Sequence, residues 1–171
     1  MSLLTRHPAD TISVLTYRMG VQDANVAGNV HGGWIMKLCD DVAAIASTRL
    51  AATRVVTATV DSMKFLSPVH VGDALTLRAT VNAAWRSSME VGVRVESENV
   101  RAGTVTHVCS AYLTMVALDE AERPTAVPAL VPLTPDDDRR HREAHLRREL
   151  RLARPGELRR VAPAPAAVRA A

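Results

Sequence analysis

At 171 residues, 47% of them apolar, the chain has material for one well-buried core and too little for two domains. Its formal charge of +3 resides in the C-terminal part: residues 136–171 carry ten arginines against six acids, which leaves residues 1–135 at −1, so no nucleic-acid partner is expected of the body. There is no run of about 18 apolar residues, no basic-then-apolar start and no cysteine besides Cys39 and Cys109, which argues against a membrane span, a secretory signal, a disulfide framework and a metal site, and for a cytoplasmic protein.

Residues 11–18 alternate loosely and predict a first strand, followed by a polar loop over 19–33. From Trp34 to Leu50 the period becomes helical. At about 100° per residue, Trp34, Ile35, Leu38, Cys39, Val42, Ala43, Ile45, Ala46 and Leu50 share one broad face. The period then falls to two. Residues 55–66 are rich in β-branched side chains and end at Ser67-Pro68, and Gly72-Asp73 supplies a turn. Alternation over 74–85 and 88–96 predicts two strands with one dry and one wetter face, and 104–117 reads as a more apolar, central or interface strand. Short links force antiparallel neighbours, and one helix covers one face of such a sheet. The fold class is α+β: a bent antiparallel sheet of about five strands wrapped around one long helix. Apolar sheet positions left uncovered call for a partner copy, at least a dimer.

Beyond Glu120 proline and charge take over, so the chain divides into a domain over 1–125 and a Pro/Arg-rich extension over 126–171. Thr134 as N-cap, Pro135 and three acids predict a helix over about 135–154 that Pro155-Gly156 stops. Its apolar ridge is Leu146, Leu150 and Ala153, which predicts an exposed or edge-docked helix. Residues 161–171 contain only Ala, Pro, Val and Arg and read as disordered.

The chemistry concentrates in the stretch from Asn25 to Asp41. The amide of Asn25, the imidazole of His31, the N–H groups freed at a helix start by Gly32 and Gly33, and a carboxylate in the second turn suit attack of water on a carbonyl. The two acids are not equivalent on the helical wheel. Asp41 falls beside Lys37 as a surface pair, whereas Asp40 borders the apolar face, partly withdrawn from water as a general base requires. Asp40 stands roughly 10 Å along the helix from the N–H groups at its start. A carbonyl held there is out of its reach, so a site shared by two subunits is expected, one giving the helix start and the other the acid.

His31-Gly32-Gly33 followed by Asp40 resembles the HGG…D signature of hot dog fold thioesterases. The likeness extends to Asn25-Val-Ala-Gly-Asn-Val-His-Gly-Gly, to residues 54–65, to Pro68-Val-His-Val-Gly-Asp73 and to Ser87-Ser-Met-Glu-Val91, and covers about residues 10–120. The chain is similar to the cytosolic acyl-CoA hydrolase, or acyl-CoA thioesterase II-like, branch. That resemblance implies hydrolysis of acyl-CoA to fatty acid and CoA, without metal or cofactor beyond the CoA of the substrate. It implies a dimer of antiparallel helices, commonly three dimers to a hexamer. It makes Asp40 the catalytic carboxylate, assisted by Asn25 from the partner site; the loop's own chemistry then offers the N–H groups of Gly32 or Gly33 to the carbonyl and His31 to orient the loop. Arg86, Ser87 and Ser88, at a strand turn, are candidates for the CoA phosphates. Two other readings of such a fold are an acyl-CoA-binding sensor that does not cleave, and a dehydratase, for which the pairing of His with an acid is missing.

Overall fold

A computed structural model describes residues 5–153. In chain order they form α1 (Pro8–Thr11), β1 (Ser13–Arg18), a 3-10 turn over Val21–Asp23, α2 (Gly32–Ala51), β2 (Arg54–Phe65), β3 (Ala74–Ala84), β4 (Ser88–Asn99), β5 (Thr104–Leu118) and α3 (Pro135–Ala153). The sheet is antiparallel throughout, with strand order β1-β3-β4-β5-β2. The five strands and central helix follow the reading from sequence, but the short β2–β3 link does not make those strands neighbours: β2 pairs with β5 and β3 with β1. The short α1 and the 3-10 turn leave no periodicity to read. Residues 161–171, read as disordered, and the helix stop at Pro155-Gly156 lie outside the described residues.

Helix α2 begins at Gly32, two residues before the apolar pattern does, because the His31 side chain caps its first turn. It ends at Ala52 in the left-handed conformation (φ 51°), whose N–H donates to Thr48 O at 2.8 Å. Its buried face, Ile35, Leu38, Cys39, Val42, Ala43, Ala46 and Leu50, packs on the inner face of β3, β4 and β5, where Leu77, Val81, Met89, Val91, Leu113 and Met115 are shielded from water. Ile45, assigned to that face from the wheel, is instead 45% exposed. The sheet ends at β2, a 12-residue strand that is mostly exposed and bonded on one side only, to β5.

Helix α3 is docked on the outer face of the sheet, but not through its apolar ridge: Leu146 and Leu150 are 56% and 53% exposed. The surface that receives α3 explains why. Glu90, on the outer face of β4, is fully buried, and burying a carboxylate demands a cation with good hydrogen bonds. Arg147 supplies both, with Nε and Nη2 at 3.1 and 2.7 Å from the two carboxylate oxygens, while its guanidinium lies 3.8 Å from the Tyr112 ring centre. Asn82 donates to the same carboxylate at 3.1 Å. One turn on, Arg151 pairs with Asp61 of β2, which also accepts from Thr114 at 2.8 Å. Of the apolar side chains of α3, Ala144 alone is buried. The N-terminus is closed by Thr134, whose hydroxyl accepts from the Asp137 N–H at 3.1 Å while the Asp137 carboxylate accepts from the Thr134 N–H at 3.1 Å.

His145 of α3 touches the Trp85 ring edge-on at 5.5 Å and lies 4.6 Å from His141. Burial holds its pKa below the ordinary 6.5, and the charges of His141 and Arg148 add to this against Glu149 and Glu90. The folded chain therefore binds fewer protons than the unfolded one below that value, and stability falls as the pH drops through it.

Two outcomes are expected. Arg147→Ala strands a buried carboxylate and lowers the unfolding free energy by about 3–5 kcal/mol, most of which the double replacement Glu90→Leu with Arg147→Leu restores; urea denaturation measures both. The melting temperature falls between pH 7.5 and pH 5, and His145→Gln flattens that fall.

Candidate active site

Two loops hold the start of α2 in place. Val30 N–H donates to Val69 O at 2.9 Å, Met19 N–H to Asp73 O at 2.9 Å and Gly72 N–H to Met19 O at 2.8 Å, so the β1–α2 loop is laced to the β2–β3 loop. Within the first loop Ala24 and Val30 form a bridge that closes a tight turn, at whose corner Gly28 takes φ +83°. Asn25 fixes that turn. Its Oδ1 accepts from the N–H groups of Ala27 (2.9 Å) and Asn29 (3.2 Å). The amide orientation follows: the oxygen serves the loop, and the NH2 group has no partner among the described residues.

His31 accepts the Gly33 N–H on Nδ1 at 2.9 Å. This corrects one expectation. Of the two glycine N–H groups proposed to hold a carbonyl, that of Gly33 is taken by its own cap, because the Ncap position brings a side-chain acceptor onto the second helical N–H. The Gly32 N–H is the one without a partner among the described residues. Beside it opens a cavity of about 380 Å³ lined by Val30, Gly32, Ile35, Phe65, Leu66, Ser67, Pro68 and Val69. The Phe65 ring lies against the open side of Gly32, 3.5 Å from where a Cβ would stand.

Two turns further along α2, Asp40 is half-buried. The Thr57 hydroxyl of β2 donates to its Oδ1, and the same hydroxyl lies 3.4 Å from Met115 Sδ. Oδ2 is without a partner among the described residues. Asp41 points to water and pairs with Lys37 at 2.6 Å, both side chains about half exposed. Cys39, on the other side of Asp40, is buried with its sulfur against that of Cys109; the hydrogen bond between them, then burial, push its pKa up, so it stays a thiol and is no nucleophile.

Thr57 was not singled out in the sequence, although a signal exists. The α2–β2 link is only two residues, Ala52 and Thr53, so helix and strand run back side by side. Asp40 lies roughly 17 Å up the helix from the link, a height that a strand reaches in about five residues. Thr57 and Thr59 flank that height, and Thr57 is the one whose hydroxyl meets Asp40. Arg86, Ser87 and Ser88 lie apart from these groups, in the β3–β4 hairpin, where Trp85 N–H donates to Ser88 O at 2.8 Å. Arg86 is exposed and the two serines half-buried. Within one chain, then, Asp40 and Thr57 come together and Gly32 opens on the cavity, while Asp40 does not line it.

A five-stranded antiparallel sheet in the order β1-β3-β4-β5-β2, curled around one long helix, is the hot dog fold. The family model of the thioesterase superfamily matches residues 27–104. Protein VdlD of Helicobacter pylori is 38% identical over 138 residues, covering 81% of this chain and 79% of that protein. The solved structure of an acyl-CoA hydrolase from Staphylococcus aureus, in complex with butyryl-CoA, CoA and CoA disulfide, superposes with a TM-score of 0.84 at 32% identity, over 92% of this chain and 96% of that one. Structures of the staphylococcal enzyme with an asparagine, an aspartate or a threonine replaced by alanine are also known, and those three positions are spaced along its sequence as Asn25, Asp40 and Thr57 are here. An apo-hexameric acyl-CoA thioesterase superposes with a TM-score of 0.87 at 35% identity, over 91% of this chain and 99% of that one. The chain belongs to the thioesterase superfamily, in its acyl-CoA hydrolase branch.

Proposed function

We propose that the protein hydrolyses acyl-CoA thioesters to a free acid and CoA, at a site shared between subunits of a homo-oligomer. The observation that carries this reading is Asp40: half-buried, one carboxylate oxygen held by the Thr57 hydroxyl, the other without a partner among the described residues. An acid oriented in this way is a positioned base with one oxygen left for a water.

The thioester carbonyl accepts from the Gly32 N–H, at the positive end of the α2 dipole, and from the Asn25 NH2. Asp40 of the facing subunit takes a proton from water as the water oxygen attacks the carbonyl carbon, or attacks that carbon itself to give a mixed anhydride that water then hydrolyses, restoring the carboxylate and releasing the acid and a proton. The tetrahedral intermediate then expels CoA as a thiolate, which takes up the proton. A thiolate leaves readily, so neither a strong general acid nor a cofactor is required. His31 acts by capping α2 and orienting Gly32, while Arg86, Ser87 and Ser88 receive the phosphates of CoA. The apolar cavity beside Gly32 takes the chain that flanks the thioester.

A single chain keeps Gly32 and Asp40 eight residues apart on one helix, roughly 12 Å, which is why two subunits are needed. The half-bonded β2 strand, with Val60 and Phe65 43% and 46% exposed, is the edge on which a second copy would complete the sheet. A dimer at least, and a trimer of dimers by analogy with the hexameric thioesterase, is the assembly we propose. We place the protein in the cytoplasm, in keeping with its two free buried thiols; among the described residues no helix is long and apolar enough to cross a membrane.

Release of free thiol from a panel of acyl-CoAs of increasing chain length tests the reading. Wild-type protein releases thiol; Asp40→Asn lowers kcat by about 10² or more with the oligomer intact, Thr57→Ala lowers it by about tenfold, and Asp41→Asn retains most of the activity. Binding of acyl-CoA without any release would replace hydrolysis by sensing.

A further inference from the structure

The β3–β4 hairpin that presents Arg86 owes most of its outside support to the C-terminal third of the chain. Val127 N–H donates to Arg86 O at 3.1 Å and Ala117 N–H to Ser87 O at 3.0 Å. Trp85, the residue that opens the hairpin, is gripped from α3: the Arg148 guanidinium stands 4.4 Å from its ring centre and His145 meets it edge-on at 5.5 Å. Helix α3 is itself fixed two residues from His145 by the paired hydrogen bonds of Arg147 to buried Glu90. The tip of the hairpin has just two residues, Arg86 and Ser87, between the Trp85 N–H and the Ser88 O that it bonds. In so tight a turn a shift of Trp85 passes directly to Arg86, the next residue, alongside the backbone bonds from Val127 and Ala117.

The geometry points to Arg148 as a positioning residue for substrate: by stacking on Trp85 it aims the Arg86–Ser88 turn at the phosphates of CoA, so that α3 acts as a brace for nucleotide-end recognition. This rests on the proposal that the turn receives those phosphates. Arg148 touches no substrate; its contribution passes through the indole. A guanidinium on an indole also packs as a plane, which lysine does only as a point charge, so the brace weakens in steps from arginine to lysine to alanine.

The test compares CoA with pantetheine, which lacks every phosphate, by calorimetric titration of the full-length oligomer, alongside KM and kcat for the acyl-CoA that the wild type turns over fastest. Arg148→Ala weakens CoA binding by about fivefold and raises KM to match, leaving kcat and pantetheine binding unchanged; Arg148→Lys recovers part of the loss. Arg86→Ala gives at least as large a loss for CoA and none for pantetheine. Equal weakening of both ligands by Arg148→Ala, or no weakening of either, overturns the brace. If Arg86→Ala leaves CoA binding untouched, the phosphate assignment falls and the brace with it. An effect of Arg86→Ala without one of Arg148→Ala removes the brace alone. Thiol release by the wild type is read separately, so absence of hydrolysis does not bear on the binding comparison.

Discussion

The 100° step between successive residues of an α-helix governs what α2 does. Across Cys39, Asp40 and Asp41 that step carries the side chains from core to border to water: the first is 1% exposed, the second half-buried, the third paired with Lys37 in solvent. One helix thereby anchors the sheet with one face and presents an acid along its margin. The sheet has to leave that margin open, and it does so because β2, the last strand, is exposed on the side where Thr57 meets Asp40. Completing the core and completing the site become a single requirement, met when a second chain covers the same strand.

The outer face of the sheet follows another logic. A helix laid on a sheet is ordinarily held by apolar area, which is indifferent to pH and salt; α3 is held by arginines reaching down to Glu90 and Asp61. Such pairs add little net free energy over an apolar alternative but cost heavily when one member is lost. They also fix register. A helix shifted by one turn would set Arg151 over Glu90 and leave Asp61 without its cation, so the charges select one seat where a greasy stripe would tolerate several.

Most of the fold is legible in the sequence because its two periods are clean, 3.6 through α2 and two from β2 to β5; the short links give the β3–β4 and β4–β5 hairpins but not the place of β2, which pairs with β5 and not with β3. The wheel likewise separated Asp40 from Asp41 without help from any structure. What could not be read depends on contacts between distant elements. Glu90 sits at a wet position of an alternating strand, and nothing nearby in sequence announces that a helix 57 residues on will bury it. The exposure of Leu146 and Leu150 agrees with the exposed or edge-docked helix read from the sequence; what the sequence does not show is that the docking face of α3 is charged. The sequence leaves Gly32 and Gly33 open as the donor, and the cap that His31 places on Gly33 is a contact that no periodicity announces. Thr57 is legible only in part: the short α2–β2 link narrows the choice to Thr57 and Thr59, and the contact with Asp40 decides it.

That link carries an evolutionary implication. Ala52 bends back in the left-handed conformation and Thr53 donates its hydroxyl to Leu118 O at 2.8 Å, so helix and strand leave the corner with their relative heights already fixed. Were the corner to gain one residue, the alternation of β2 would invert and swing the Thr57 hydroxyl to the opposite side of the sheet. Lineages of this fold are therefore free to lengthen the β4–β5 turn at residues 100–103, far from the acid, but the two-residue corner behaves as a ruler whose length descent must conserve.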